Sequence, residues 1–147
     1  MIYKFTVLYP VHDGVEIKKI IKSVKSIIYN SITPNEILIM IDGKISVEKE
    51  LFFKKIKKKF SYIKVIHNQK IGLSKILNKG LFLAKYEIIF RADSDDYNTK
   101  DRFKKQIDYF FKKKLDIMGC FLIENYGKKK FIRKTPKYPN FLLSTII

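Results

Sequence analysis

The sequence predicts an α/β protein whose mainly parallel sheet is covered by helices on both faces. Short, almost continuously apolar segments alternate with longer segments whose apolar residues recur at helical spacing. The short segments lack the polar–apolar alternation of a strand with one face in water, so they are expected to be buried on both faces. A chain of 147 residues, 46% of them hydrophobic, suits one such core.

The predicted strands follow the apolar runs. Four of them build the sheet, at residues 5–9, 36–41, 63–66 and 87–90. The first is expected to stop at Pro10, because proline has no N–H to donate to a sheet. A fifth strand is predicted at residues 116–124, with residues 129–132 as its candidate partner across a turn at Gly127.

The predicted helices alternate with these strands. They cover residues 15–29, 47–60, 73–84 and 102–112. The spacing places Leu51 on the inward face of the second helix and Leu81 on the inward face of the third. The carboxyl ends of the strands, where parallel sheets bind ligands, are therefore the predicted location of a site.

The net charge is +17, with 31 Lys and Arg against 14 Asp and Glu. This excess favours a polyanion or an anionic membrane surface as partner, and it is equally typical of lysine-rich, solvated helix faces. A single cysteine, Cys120, excludes a disulfide within the chain and is typical of the reducing cytoplasm. No signal-peptide pattern or membrane-spanning run occurs, so membrane contact is expected to be peripheral, on the inner face.

The strongest chemical signal is a cluster of carboxylates directly after the fourth strand: Asp93, Asp95 and Asp96. Their mutual repulsion favours a compensating cation, and Mg²⁺ or Mn²⁺ takes one or two carboxylates together with phosphate oxygens and water. The alternative is a polar turn in which Asp96 or Asp101 caps the next helix.

Three weaker signals follow the other strands. Asp42 precedes Gly43 and would accept a hydrogen bond from a base or ribose, although Asp-Gly is also a common turn. His12 would stack on a nucleobase, whereas the simpler interpretation is a loop in which Asp13 caps a helix. Gly72 opens the third helix and presents backbone N–H groups to an anion.

These segments, in this order, resemble those of family 2 glycosyltransferases with the GT-A fold, a Rossmann-like three-layer α/β/α arrangement. The resemblance covers residues 4 to about 125. The combination of motifs is similar to that of the branch that builds lipopolysaccharide, capsule or other surface polysaccharide. The resemblance is carried by Pro10-Val11-His12-Asp13, Ile41-Asp42-Gly43-Lys44, Asn78-Lys79-Gly80-Leu81, Arg91-Ala92-Asp93-Ser94-Asp95-Asp96, Arg102-Phe103 and Gln106.

The resemblance implies inverting transfer from a nucleotide-diphospho-sugar to a glycan or lipid-linked acceptor, with Mn²⁺ or Mg²⁺. Asp95 and Asp93 would bind the metal, and Asp93 would also hold the ribose or sugar. Asp42 and His12 would bound the base pocket. The implied set of nucleotide-sugar-binding residues is Pro10, His12, Asp42, Gly72, Asp93 and Asp95.

Family members continue further, into an acceptor-side segment with a Glu-Asp motif that supplies the general base. Here only Glu124 follows Asp116 as a carboxylate, and it is not assigned that role. We therefore expect a nucleotide-sugar-binding domain at residues 1–133, the start of an acceptor-side segment at residues 134–147, and a fold incomplete at its C-terminus.

Two alternatives stay open at this point. A basic α/β module for nucleic acid or an anionic membrane fits the charge, although no nucleic-acid motif or aromatic stacking platform occurs, which argues against nucleic acid as a partner. A nonfunctional truncation would expose a sheet edge and aggregate.

Overall fold

The computed structural model describes residues 3–127 and 129–134, and the chain divides into two compact units, residues 1–105 and 106–147. The predicted acceptor-side segment, residues 134–147, lies outside the described residues except for Lys134.

The first unit is built on a four-stranded parallel sheet with the order β3-β2-β1-β4. The strands are β1 (Phe5–Val11), β2 (Glu36–Asp42), β3 (Ile63–Asn68) and β4 (Ile88–Arg91). The helices between them are α1 (Ile17–Ile28), α2 (Val47–Lys59) and α3 (Leu73–Leu83), and α4 (Arg102–Lys113) follows β4. The α/β class and the alternating element order are as predicted.

The strand order places the helices in two layers. From β1 to β2 to β3 the chain moves in one direction across the sheet, and through α3 it returns past β1 to β4. Because such crossovers are right-handed, the two directions put α1 and α2 on one face and α3 on the other. The result is the predicted three-layer arrangement.

On the α3 face, the helix approaches the sheet closely at Gly80. A Cβ atom built on Gly80 would lie 2.2 Å from Cδ1 of Leu8 in β1, which is inside van der Waals contact. Leu8 forms a buried cluster with Leu38, Met40 and Ile76. Gly80 is therefore required by packing rather than by a special backbone conformation.

The other face carries an aromatic cluster. The rings of Phe5 and Phe90 lie 5.2 Å apart with edge-to-face geometry, and Phe103 lies 4.9 Å from Phe90. All three side chains are buried. Since Phe5 is in β1, Phe90 is in β4 and Phe103 is in the first turn of α4, the cluster joins the three elements across the sheet edge.

The predicted end of the first strand at Pro10 is wrong, since β1 continues to Val11 and Pro10 pairs with Met40. Leu8 accepts a hydrogen bond from Ala92 on the β4 side, 3.1 Å from oxygen to nitrogen. The backbone of Pro10, two residues later, faces the same side, where the pairing with β4 ended at Arg91. The missing N–H of Pro10 therefore interrupts no ladder bond, as at an edge strand.

Two predicted inward side chains point to solvent instead. Leu51 is 62% exposed, and Phe53 fills the inward position of α2. Leu81 is 51% exposed, because the tight contact with the sheet is made by Gly80. Helical spacing predicted which apolar residues share one side of each helix. The closest approach of each helix to the sheet decided which of these residues are buried.

The second unit contains a two-stranded antiparallel sheet of β5 (Leu122–Tyr126) and β6 (Lys129–Arg133). Its pairing across Gly127 is as predicted, but β5 starts six residues later than expected. Leu122 is the first paired residue, opposite Arg133. Glu124 forms an ion pair with Arg133, so its carboxylate already has a partner within the hairpin.

No helix among residues 3–127 and 129–134 is long and apolar enough to cross a membrane.

Candidate nucleotide-sugar site

A cavity of about 480 Å³ lies at the carboxyl edge of the four-stranded sheet. The loops after all four strands contribute side chains to it. β1 and β4 are neighbours in space although the chain passes through β2 and β3 between them, so the cavity lies at the point where the strand order reverses. Open α/β sheets bind their ligands at this point.

The loop after β1 contributes His12 and Asp13 to the cavity. The backbone N–H of Gly14 donates to Nδ1 of His12 at 3.0 Å, so this nitrogen acts as an acceptor and the ring is held in one orientation. In this arrangement the other ring nitrogen, Nε2, carries the proton of the neutral imidazole.

Asp13 joins the β1 loop to α2 rather than capping α1, as the simpler interpretation proposed. Its Oδ1 accepts hydrogen bonds from the backbone N–H of Ser46 at 2.8 Å and from Nζ of Lys49 at 2.7 Å. The hydrogen bond from Lys49 has the larger effect and the one from Ser46 the smaller, and together they hold the pKa of Asp13 below its usual value. Lys49 is buried, so Asp13 supplies the negative charge that an interior ammonium group requires.

Asp42, at the end of β2, binds the loop that precedes α3. Its Oδ1 accepts the N–H of Ile71 at 2.7 Å, and its Oδ2 accepts the N–H of Gly72 at 3.1 Å. The backbone N–H groups expected to bind an external anion are thus occupied by a carboxylate of the protein itself. Gly72 has a φ of +89° and begins α3, but it does not line the cavity.

The acidic loop after β4 brings Asp93 and Asp95 to the same cavity as Asp42 and His12. Nε and Nη2 of Arg91 donate to the two carboxylate oxygens of Asp93 at 2.8 and 3.0 Å. Asp95 is exposed and makes no hydrogen bond or ion pair with another side chain among the described residues. The two carboxylates therefore differ, since one is neutralised by a bidentate partner and the other is available to a ligand.

The electrostatics of the loop reflect this crowding. Desolvation first, and then the charges of Asp95 and Asp93, raise the pKa of Asp96, although Arg102 and Arg91 oppose the shift. Burial, partly offset by a hydrogen bond with Ser23, raises the pKa of Tyr9, and the same two aspartates add to the effect. A cation bound at this loop would relieve the repulsion.

Helix α1 and strand β1 fix the acidic loop through its backbone. The hydroxyl of Ser23 donates to the carbonyl oxygen of Asp93 at 3.0 Å, and the buried hydroxyl of Tyr9 donates to that of Ser94 at 3.4 Å. Oγ of Ser26 accepts the N–H of Asn98 at 2.9 Å. These bonds hold the backbone on both sides of Asp95 and leave its side chain outside the network.

The donor set fits a divalent cation held jointly by protein and ligand. Within the described part of the chain, no group of three or more His, Cys, Asp or Glu side chains is arranged to hold a metal. Asp95, with Asp93 beside it at the cavity, offers the one or two carboxylates that Mg²⁺ or Mn²⁺ takes when phosphate and water complete the octahedron.

Five of the six predicted site residues line the cavity: Pro10, His12, Asp42, Asp93 and Asp95. Four charged residues outside the predicted set line it as well: Asp13, Lys44, Lys70 and Arg91. Lys44 and Arg91 stand inside the quoted motifs, and Lys70 lies in the loop after β3. Their position directly after strand ends is the signal that could have identified them.

The sequence profile of Glycosyl transferase family 2 matches residues 6–146 of the chain, and the chain belongs to that family. It is 28% identical over 143 residues to the UDP-Gal:alpha-D-GlcNAc-diphosphoundecaprenol beta-1,3-galactosyltransferase of Escherichia coli, covering 95% of this chain and 52% of that protein. It is 25% identical over 132 residues to the amylovoran biosynthesis glycosyltransferase AmsE of Erwinia amylovora, covering 88% and 50%. The chain thus spans about half the length of these curated relatives.

Solved structures show the same fold. TarS residues 1–349 of S. aureus in complex with UDP-GlcNAc matches with a TM-score of 0.63 at 24% identity, over 74% of this chain and 31% of that one. The mannosyltransferase PcManGT of Pyrobaculum calidifontis, in complex with GDP-Man and Mn²⁺, matches with a TM-score of 0.63 at 16% identity, over 73% and 32%. The GT-A fold implied by the sequence motifs is confirmed by these neighbours.

Proposed function

We propose that the cavity binds a nucleoside-diphosphate sugar together with Mn²⁺ or Mg²⁺, for transfer of the sugar to a glycan or lipid-linked acceptor. The observation that carries this proposal is the meeting of Asp93, Asp95, Asp42 and His12 at one cavity on the carboxyl edge of the sheet. The relatives' names support the substrate class, since one includes a UDP-sugar donor and a diphosphoundecaprenol acceptor, and another includes amylovoran biosynthesis.

Each residue has a distinct role in this proposal. Asp95 is the principal metal ligand because its carboxylate has no competing partner, and Asp93 adds a second oxygen or holds the ribose or sugar. The bound ion would supply positive charge to the diphosphate as it leaves. The fixed imidazole of His12 offers a face on which a nucleobase stacks. Asp42 bounds the base pocket by anchoring the loop that forms its other wall.

The proposal that the acceptor is a glycan or a lipid-linked molecule rests on family membership alone. No residue of this chain is assigned as the general base, and the donor-binding role does not require one. Contact with the inner face of an anionic membrane, where a lipid-linked acceptor would reside, is proposed through the exposed lysines of α2. These are Lys54, Lys55, Lys57, Lys58 and Lys59.

Calorimetric titration with UDP and with GDP tests the donor site, in Mn²⁺ and in EDTA. We expect binding of at least one nucleotide to require the metal, and we expect Asp95→Asn to weaken it by about tenfold or more, since a charged ligand bond is lost. Asp116→Asn is the matched control, because Asp116 is exposed and does not line the cavity. Equal affinity with and without metal would contradict the proposal.

A further inference from the structure

The side chain of Tyr9 places a hydroxyl group in an otherwise apolar row of β1. Side chains alternate along a strand, so Phe5, Val7 and Tyr9 share the face of the sheet that α1 covers, and all three are buried. A phenylalanine would fill the same space, whereas a buried hydroxyl costs free energy unless it has a hydrogen-bond partner. The Tyr9 hydroxyl donates to the carbonyl oxygen of Ser94 at 3.4 Å, so the polar atom of this core residue is directed at the acidic loop.

Two buried serines of α1 bind the same loop. Ser23 and Ser26 are about one turn apart on the inward side of the helix. The hydroxyl of Ser23 donates to the carbonyl oxygen of Asp93 at 3.0 Å. Oγ of Ser26 accepts from the backbone N–H of Asn98 at 2.9 Å and from its Nδ2 at 3.1 Å. Together with Tyr9, these serines form a set of three buried hydroxyls behind the loop, which we call the hydroxyl cluster.

The hydroxyl cluster brackets Asp95 along the chain. Its bonds reach both residues that precede Asp95, Asp93 and Ser94, and the third residue after it, Asn98. Each member of the cluster bonds a backbone group of the loop, so the cluster takes up no carboxylate oxygen that a cation would need. Arg91 acts differently, because its guanidinium binds both carboxylate oxygens of Asp93. The cluster therefore fixes the loop without competing with an ion for its ligands.

A fixed backbone matters at this loop because its acidic side chains are crowded. Asp93, Asp95 and Asp96 lie within four residues, and their mutual repulsion favours loop conformations that spread the carboxylates apart. A cation held by one or two carboxylates needs them in a defined place, and the free energy of ordering a loose loop is subtracted from the free energy of binding. Groups that orient metal ligands without touching the ion typically change metal affinity by about 10–100-fold.

We propose that Tyr9, Ser23 and Ser26 are positioning residues that hold the acidic loop in its metal-binding conformation before the ion arrives. This inference rests on the proposed function, in which Asp95 is the principal metal ligand. The three side chains act through the backbone of the loop and touch neither the ion nor the substrate. Tyr9 is the member that joins the loop to the centre of the sheet, since β1 lies between β2 and β4.

Tyr9→Phe isolates the effect, because it removes one oxygen atom and keeps the ring. Mn²⁺ affinity is measured by electron paramagnetic resonance, alone and with UDP or GDP, and amide exchange is followed in the same proteins. We expect Tyr9→Phe to weaken Mn²⁺ binding about tenfold. Exchange of the Asp96 N–H, which donates to the carbonyl oxygen of Asp93 at 3.2 Å, should become faster. Ser23→Ala should act in the same direction, and the double variant should lose less than the product of the two single losses, because both residues hold one loop.

Tyr62→Phe is the matched control, because Tyr62 is a half-buried tyrosine that directly precedes β3, at the edge of the sheet opposite the cavity. A Tyr9→Phe protein that unfolds at lower urea but binds Mn²⁺ like the wild type would leave the cluster a structural role only and overturn the inference. An equal loss of Mn²⁺ affinity in Tyr62→Phe would overturn it as well. If the wild type binds no nucleotide with Mn²⁺, the proposed function fails together with this inference, whereas metal-dependent binding that Tyr9→Phe leaves unchanged defeats this inference alone.

Discussion

Arg91 is the last residue of β4, and Asp93 lies two residues further along the chain. The guanidinium of Arg91 donates two hydrogen bonds, of 2.8 and 3.0 Å, to the carboxylate of Asp93. The pair neutralises one of three clustered acids, and the guanidinium of Arg102 donates to the carbonyl oxygen of Arg91 at 2.9 Å. The loop therefore carries its own cation before any ligand binds. In the proposed function Arg91 would compete with a metal ion for Asp93, and this competition can be measured.

Removal of the guanidinium should strengthen metal binding in the absence of nucleotide. We expect Arg91→Met to bind Mn²⁺ roughly threefold more tightly, because exposed charge interactions are screened to about 1 kcal/mol or less. The measurement is a Mn²⁺ titration followed by electron paramagnetic resonance. Lys105→Met, which removes an exposed lysine outside the cavity, is the control. Weaker Mn²⁺ binding in Arg91→Met would show that the guanidinium supports the site instead.

The contact between Gly80 and Leu8 predicts an unusual response to alanine in a helix. Alanine favours a helix over glycine by about 1 kcal/mol. At residue 80, however, the new Cβ would lie 2.2 Å from a buried leucine methyl group, and overpacking costs about 1–3 kcal/mol. We therefore expect Gly80→Ala to lower the free energy of unfolding in urea by about 1 kcal/mol net.

Two companion variants isolate the cause at this contact. Leu8→Val combined with Gly80→Ala should recover part of the loss relative to Leu8→Val alone, because the shorter side chain makes room for the new methyl group. Asn78→Ala, at an exposed position of the same helix, should be neutral or stabilising. A Gly80→Ala protein as stable as the wild type would mean that α3 shifts outward without penalty.

The buried carboxylate of Glu36 predicts a pH-dependent stability. Burial opposes its ionisation, but Nζ of Lys64 at 2.7 Å, the N–H of Lys85 at 2.8 Å and the hydroxyl of Thr6 at 2.8 Å donate to it. These donors outweigh burial and lower the pKa of Glu36. A lowered acid pKa contributes stability above the unfolded-state pKa of 4.5, and this contribution is lost as the pH falls through the folded-state value.

Glu36→Gln should therefore lower the free energy of unfolding by about 2 kcal/mol at pH 7, where hydrogen bonds to a charged group are replaced by neutral ones. The difference from the wild type should shrink as the pH is lowered below about 5. Urea unfolding at a series of pH values measures it, with Glu87→Gln as an exposed control. A difference that stays constant with pH would show that the side-chain exchange acts through packing rather than through charge.

The bonds from Ile71 and Gly72 to Asp42 predict local protection of two backbone amides. In Asp42→Ala, the N–H groups of Ile71 and Gly72 lose their acceptor and should exchange faster with solvent. Asp42→Asn keeps one oxygen and should have a smaller effect. The N–H of Ile37, bonded to the carbonyl oxygen of Tyr62 at 2.9 Å, serves as an internal reference. Unchanged exchange at both amides would show that the loop keeps its position without Asp42.

Most of the element order followed directly from the chain. Near-continuous apolar runs such as residues 36–41 can be satisfied only by a strand covered on both faces, and the helical stripes between them have nowhere to pack except on that sheet. The candidate site was predictable for the same reason, because the polar residues after each strand, Asp42 and Asp93 among them, must meet where parallel strands end.

The sequence by itself determined the fold class, the edge of the sheet at which a ligand would bind and five of the residues that line the cavity. Tertiary structure alone decided how those residues are used: Asp42 binds a backbone loop, Asp93 binds Arg91, Asp95 has neither kind of partner among the described residues, and β1 runs through Pro10 because β4 has already ended. The physical reason is that periodicity and composition act locally along the chain. Whether a charged group is neutralised inside the protein depends on which distant backbone and side-chain groups the folded sheet brings within hydrogen-bonding distance.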